Sequence, residues 1–128
     1  MELDTKLYLV DDEGEKFMGI GVLWLLENIG EEQSLRAASM KMNLSYSKAY
    51  NMLKKLEKEV GRPFVSRKRG GASREGVELT PFARRYMDLY RNFQEKAKKA
   101  ALVEYNRYKE ELAFLLKEEE SDKADIQY

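Results

Sequence analysis

The sequence contains neither cysteine nor histidine, and it has only two prolines in 128 residues. Without cysteine there is no disulfide framework and no thiolate metal site. Without histidine the chain lacks the commonest transition-metal ligand and the commonest general base. Carboxylate pairs such as Glu31-Glu32 lie in hydrophilic segments, where solvated surface is the ordinary role. We therefore expect a protein that is not an enzyme and that uses no metal or cofactor.

Long apolar runs are missing as well. The run Val22–Leu26 is among the longest and is far too short to span a bilayer. The first residues, Met1–Asp4, have neither the basic leader nor the apolar segment of a signal peptide. These features predict one domain plus an appendage, in the cytoplasm and without membrane contact.

Charge is abundant but unevenly placed. The whole chain has 23 basic and 23 acidic residues. Between Arg36 and Arg74, however, eleven residues are basic and only Glu57 and Glu59 are acidic. Such a concentration is typical of a phosphate-binding surface. A solvated helix face is the alternative, and we favour the first interpretation because the charges continue from a predicted helix into a glycine-rich segment.

The basic region begins with two predicted helices. Ser34 and Ser45 are each suited to cap a helix with their hydroxyl groups. The first helix is short, and the second extends to about Val60 before Gly61 stops it. Both helices have apolar residues at helical spacing, which are Leu35, Ala38 and Met42 in the first and Ala49, Met52, Leu53, Leu56 and Val60 in the second.

A predicted β-hairpin follows the second helix. Its strands are Phe64–Arg67 and Val77–Leu79, and a basic, glycine-rich tip joins them. Two helices and a basic hairpin in this order are typical of a winged helix-turn-helix, which places its second helix in the major groove of DNA.

The N-terminal part is predicted to form a second hairpin. Its strands are Lys6–Val10 and Lys16–Met18, joined by an acidic turn. We expect this hairpin to pack on the domain or on a second subunit rather than on DNA. A helix from Val22 to about Ile29 follows, and for its Trp24 we expect burial in the core, with the hairpin or a partner subunit as alternatives.

The C-terminal third is predicted to be one long helix. Thr80-Pro81 is a strong helix start, and neither glycine nor proline occurs from there to about Lys117. An apolar stripe of this length needs a covering partner, and a second copy of the same helix is the simplest one. The predicted dimer interface is Phe82, Tyr86, Leu89, Phe93, Ala97, Ala101, Tyr105, Tyr108, Leu112 and Leu115.

The fold class predicted from these patterns is mainly α with small β. It is a winged helix-turn-helix with an N-terminal β-hairpin and a long C-terminal dimerisation helix. The predicted divisions are 1–80 for the DNA-binding domain, 81–118 for the dimerisation helix and 119–128 for an acidic, disordered tail.

Residues 30–90 carry a family resemblance. The segments that match are Leu25–Ile29, Ser34–Ala38, Met42–Tyr50, Glu57–Val65, and Gly70-Gly71 leading to Val77–Pro81. They resemble the DNA-binding domain of the molybdate-responsive ModE regulators, which is related to that of the LysR regulators. The resemblance implies an N-terminal hairpin and a long linker helix that dimerises, usually antiparallel. Nothing in the sequence resembles the molybdate-binding domains of ModE or the effector-binding domain of LysR regulators.

We predict contacts to double-stranded DNA from three places. These are the N-terminus of the first helix, the exposed side of the second helix, and the wing. The residues are Ser34, Arg36, Ser45, Tyr46, Ser47, Lys48, Asn51, Lys54, Lys55, Arg67, Lys68, Arg69 and Arg74. For Tyr46 a DNA contact and packing beneath the helix stay equally open.

The predicted function is a sequence-specific DNA-binding transcription regulator that acts as a homodimer. The alternative is a winged-helix interaction module that docks on a partner protein through the long C-terminal helix. No small-molecule ligand is evident in the sequence.

Overall fold

The computed structural model describes residues 1–68 and 76–126, the last four of them by their backbone alone. In this part of the chain the elements are β1 (Leu9–Val10), β2 (Lys16–Met18), α1 (Ile20–Glu32), α2 (Leu35–Lys41), α3 (Tyr46–Val60), β3 (Val65–Arg67), β4 (Val77–Leu79) and α4 (Pro81–Ile126). The predicted fold class is confirmed: mainly α with small β, a winged helix-turn-helix with an N-terminal hairpin and a long C-terminal helix.

The chain divides into two compact units. One unit is Lys6–Arg91, and the other consists of Met1–Thr5 and the chain from Asn92 onward. None of the helices in the described part of the chain has both the length and the apolar character that a membrane crossing requires.

The core of the Lys6–Arg91 unit is centred on α1. Leu25, Leu26 and Ile29 of this helix are completely buried, and so are Leu56 of α3 and Phe64 before β3. Burial of this apolar area supplies the main favourable free energy of folding. Because every element of the unit adds side chains to one cluster, the cluster fixes the position of α3.

Trp24 corrects one expectation. We expected this side chain in the core, but it is 52% exposed. At about 100° per residue, Trp24 lies on the side of α1 opposite Leu26 and Ile29, and those two residues face the core.

The N-terminal hairpin packs on α1 and α3 through β2. Its turn is held by Asp11, whose Oδ1 accepts hydrogen bonds from the backbone N–H groups of Glu13 and Glu15, both at 2.9 Å. Gly14 completes the turn with a φ of 81°, a conformation that glycine adopts without steric cost. The hairpin therefore packs beside α3 on its own domain, which is one of the two packing arrangements that we predicted.

The helix-turn-helix is formed by local signals. Ser34 Oγ accepts from the N–H of Ala37 at 3.1 Å, and Ser45 Oγ accepts from the N–H of Lys48 at 3.1 Å. The turn between α2 and α3 contains Asn43 in the left-handed conformation, with a φ of 58°. Both predicted caps are confirmed, and α3 begins and ends as expected.

The wing is a two-stranded antiparallel sheet, in which Val65 pairs with Leu79 and Arg67 with Val77. The segment before α2 adds to it, because the N–H of Val77 donates to the carbonyl of Gln33 at 3.0 Å. The wing is thereby joined to the start of α2 as well as to the end of α3.

Helix α4 begins at the predicted cap. Thr80 Oγ1 accepts from the N–H of Ala83 at 3.0 Å and donates to the carbonyl of Pro63 at 2.9 Å. We expected the helix to end near Lys117, with a frayed acidic tail after it, but α4 continues to Ile126. Residues 118–126 contain neither glycine nor proline, so the sequence has no strong helix breaker there.

Candidate nucleic-acid interface

Helix α3 turns one face to the core and the opposite face to solvent. Ala49 and Leu53 are buried. Ser47, Asn51 and Lys58 lie on the opposite face at about 100° per residue, and all three are exposed. We call these three residues the apical row. A helix that is anchored by one face and bare on the other can enter the major groove of DNA.

Two of the predicted contact residues have structural roles. The hydroxyl oxygens of Ser34 and Ser45 cap α2 and α3. Each hydroxyl hydrogen is still available to a phosphate oxygen, because a serine can accept and donate at once. Both predicted contacts are therefore compatible with capping, and replacement of either serine would also affect the stability of its helix.

On one flank of α3 a groove of about 320 Å³ separates this helix from the wing. The rings of Tyr46 and Tyr50 stack there with centroids 6.3 Å apart, and the guanidinium of Arg36 lies 4.8 Å from the centre of the Tyr46 ring. Tyr46 is 42% exposed, so it does not pack beneath the helix. Lys54 and Arg67 also line this groove. We call it the wing groove. Its three cations, Arg36, Lys54 and Arg67, lie beside exposed aromatic rings and are suited to bind a phosphate chain.

Two predicted phosphate contacts have carboxylate partners. The ammonium of Lys54 lies 3.3 Å from Glu57 Oε1. The ammonium of Lys55 lies 2.8 Å from Glu15 Oε2 and 3.3 Å from Asp11 Oδ2 in the N-terminal hairpin. The hydrogen bond to Glu15 is the main reason why the pKa of Lys55 is raised above its ordinary value. The charge of Lys55 is therefore neutralised within the chain.

Other cations of the basic region have no such partner. No carboxylate of residues 1–68 and 76–122 lies within 4.0 Å of the charged groups of Lys48, Lys58 or Arg67. Lys58 was absent from our predicted contacts. Its place seven residues after Asn51, on the same helix face, was the signal that could have found it.

The wing is described up to Lys68 and again from Gly76. The N–H of Lys68 donates to the carbonyl of Gly76 at 3.0 Å, and its ammonium donates to Gln33 Oε1. The predicted contacts Arg69 and Arg74 lie outside the described residues. The described base of the wing thus presents Arg67 and Lys68 beside α3.

The predicted interface stripe on α4 falls into two groups. Phe82, Leu89, Phe93, Tyr108 and Leu115 are exposed. The intermediate group consists of Tyr86, Ala97, Ala101, Tyr105 and Leu112. Four further large apolar side chains that we did not predict are also exposed, namely Leu102, Val103, Phe114 and Leu116. Both units therefore present apolar helix surface to solvent.

The fold and its exposed helix together define a class of protein domain. Three helices with a two-stranded wing, and a recognition helix bare on its outer face, are a winged helix-turn-helix DNA-binding domain.

The comparisons with known proteins specify the type of this domain. Residues 22–84 match the model of the family described as bacterial regulatory helix-turn-helix protein, lysR family. This segment is thus similar to the helix-turn-helix domain of that family. The LysR part of the resemblance stated above is confirmed, and the likeness to ModE stays a prediction.

Solved structures share the fold. The DNA-binding domain of CbnR in complex with DNA is 20% identical, with a TM-score of 0.51 over 66% of this chain and 91% of that one. A structure of CbnR, described as a LysR family transcriptional regulator, is also 20% identical, with a TM-score of 0.50 over 66% of this chain and 27% of that one. Among curated protein sequences, none matches this chain significantly.

Proposed function

We propose that this protein is a sequence-specific transcription regulator that binds double-stranded DNA as a homodimer. The observation that carries the proposal is the apical row of α3, which is exposed opposite the core and has cations on its flank. Such a helix reads base edges while the cations beside it hold phosphates. The likeness to ModE regulators and the cytoplasmic location expected from the sequence remain parts of this proposal.

The contacts divide by chemistry. Asn51 is suited to read adenine through two hydrogen bonds, and Lys48 to donate to guanine. Arg36, Lys54 and Arg67 in the wing groove are suited to phosphates, which position the protein without reading sequence. Asn51 is therefore the residue on which base preference depends most directly.

Helix α4 is the proposed dimer element. Its exposed Leu89 and Phe93 are large apolar side chains that a second copy of the helix would cover. Leu89→Glu together with Phe93→Glu should convert the dimer to a monomer in sedimentation equilibrium. Asn92→Glu, at an exposed polar position on the same helix, is the matched control and should leave the dimer intact. A wild-type chain that is monomeric at high micromolar concentration would contradict the proposed dimer.

Selection from a randomised duplex pool tests the DNA reading directly, with sequencing of the bound fraction at low and moderate salt. An enriched inverted repeat is the expected result, because a two-fold dimer presents two equivalent recognition helices. Salt-sensitive binding without an enriched sequence would contradict sequence reading. No binding at either salt would favour the interaction module that docks through α4.

A further inference from the structure

The flank of α3 opposite the wing carries a second groove. It lies between the N-terminal hairpin, the start of α1 and α3, and it encloses about 770 Å³. We call it the hairpin groove. Its apolar lining includes Phe17, Met18, Val22 and Met52. The volume is in the range of small-molecule sites, which are mostly apolar with a few convergent polar groups.

The two glycines that line this groove differ in the space around them. Gly21 lies in the first turn of α1, and a Cβ atom added there would meet no atom within 4 Å. At Gly19 the situation differs, since an added Cβ would lie 2.7 Å from the ring of Tyr8. The free space therefore extends over Gly21, and a large side chain at that position would occupy it.

The polar lining of the groove is cationic. Lys16, Lys48 and Lys55 line it, and no carboxylate does. The ammonium of Lys16 lies 4.0 Å from the centre of the Tyr8 ring, and Lys55 is paired with the hairpin. Within the described residues, neither Lys48 Nζ nor the side-chain amide of Asn51 makes a hydrogen bond or an ion pair. An ammonium and an amide NH₂ three residues apart on one helix are two donors for one carboxylate.

We infer that the hairpin groove binds a small amphipathic anion and thereby releases the protein from DNA. The apolar body of the ligand lies over Met18, Val22 and Met52, and its carboxylate accepts from Lys48 and Asn51. The release from DNA rests on the proposed function, because the same two side chains are the proposed base contacts. No pattern in the sequence indicates this site, since its lining comes from three separate segments.

The test uses 1-naphthoate and its neutral analogue 1-naphthamide, titrated into the full chain without DNA. Amide shifts in proton–nitrogen correlation spectra should saturate at Gly19, Gly21 and Met52. Because the neutral amide loses the ion pair with the Lys48 ammonium, 1-naphthamide should bind about tenfold more weakly. Equal affinity of the two compounds, or no saturating shifts at these residues, would overturn the inference.

Two variants locate the ligand. Gly21→Phe places a ring in the groove and should abolish the shifts, whereas Ile20→Phe adds a ring at an exposed neighbour that does not line it and should preserve them. Lys48→Gln alters an exposed side chain and should weaken 1-naphthoate about tenfold and 1-naphthamide much less, because the neutral amide forms no ion pair with the ammonium. If Gly21→Phe does not fold, Lys48→Gln decides alone. Retained binding of 1-naphthoate in a folded Gly21→Phe variant would exclude the groove.

Competition with DNA is measured separately, on a duplex obtained by selection. Saturating 1-naphthoate should raise the apparent Kd for that duplex in the wild type but not in Gly21→Phe. Ligand binding without any change in DNA affinity would refute the release from DNA. Failure of the protein to bind DNA would refute the proposed function and leave the ligand titration fully interpretable.

Discussion

Lys55→Gln and Arg67→Gln remove the same charge from two predicted phosphate contacts with different surroundings. Lys55 is held by Glu15 at 2.8 Å and Asp11 at 3.3 Å. Arg67 is exposed in the wing and has no carboxylate partner among the described residues. We expect Arg67 to neutralise a phosphate and Lys55 to contribute none, because its ammonium is already paired with the hairpin.

The salt dependence of DNA binding separates the two cases. Each phosphate neutralised on duplex DNA adds about 0.9 to the magnitude of the slope of log K against log salt. About six phosphate contacts give the wild type a slope near −5, and Arg67→Gln should reduce its magnitude by about one. Between about 50 and 200 mM salt, the DNA affinity of Arg67→Gln should therefore fall by a factor roughly threefold smaller than that of the wild type. Lys55→Gln should leave the slope unchanged.

Fluorescence anisotropy of a labelled duplex at a series of sodium chloride concentrations measures all three slopes. Thermal unfolding of each variant shows whether the domain is intact, which matters for Lys55 because its loss also frees two hairpin carboxylates. A slope for Lys55→Gln reduced as much as that for Arg67→Gln would refute the pairing argument. A slope near zero for the wild type would refute the interface itself.

Three further changes test the packing that positions α3 and the wing. Phe64→Ala should destabilise the domain by about 3–5 kcal/mol in urea unfolding, because the ring is completely buried. Thr80→Ala should cost about 1 kcal/mol through loss of the α4 cap, and Thr80→Ser should restore most of it. The hydrogen bond from the N–H of Glu15 is the main reason why the pKa of Asp11 lies below its ordinary value of 3.8. Stabilisation of the hairpin by this carboxylate is thus present above pH 3.8 and lost as the pH falls through the lowered pKa. In the Asp11→Asn variant, the stability of the hairpin should no longer fall at low pH, and an NMR titration of the hairpin measures this.

The parts of the fold that the sequence predicted well depend on local chemistry. Ser45 and Gly61 bracket α3, and a cap and a left-handed stop act within a few residues of where they occur. Thr80 identified the start of α4 for the same reason. The predicted end of α4 was wrong because acidic residues alone do not stop a helix, and neither glycine nor proline occurs between Lys117 and Ile126.

The parts that were missed depend on residues distant in the chain. Lys55 stays a predicted DNA contact, but spacing along α3 did not indicate its pairing with Glu15, which lies 40 residues earlier. Trp24 was expected in the core because it is large and apolar, whereas its exposure depends on which side of α1 the other elements cover. Spacing along one helix does not contain that information.

The two flanks of α3 differ in charge, and this difference bears on how DNA approaches. On the hairpin side, the carboxylates of Asp11 and Glu15 outnumber the single ammonium they hold, so this end of the flank repels a phosphate chain. On the wing side, Arg36, Lys54 and Arg67 line an open groove, and among the described residues Glu57 supplies the carboxylate that is paired with Lys54. The phosphate backbone should therefore lie along the wing groove. Lys48 lies two turns of α3 before Lys55 and is not paired with the acidic turn, so it remains available on the hairpin side to a compact anion.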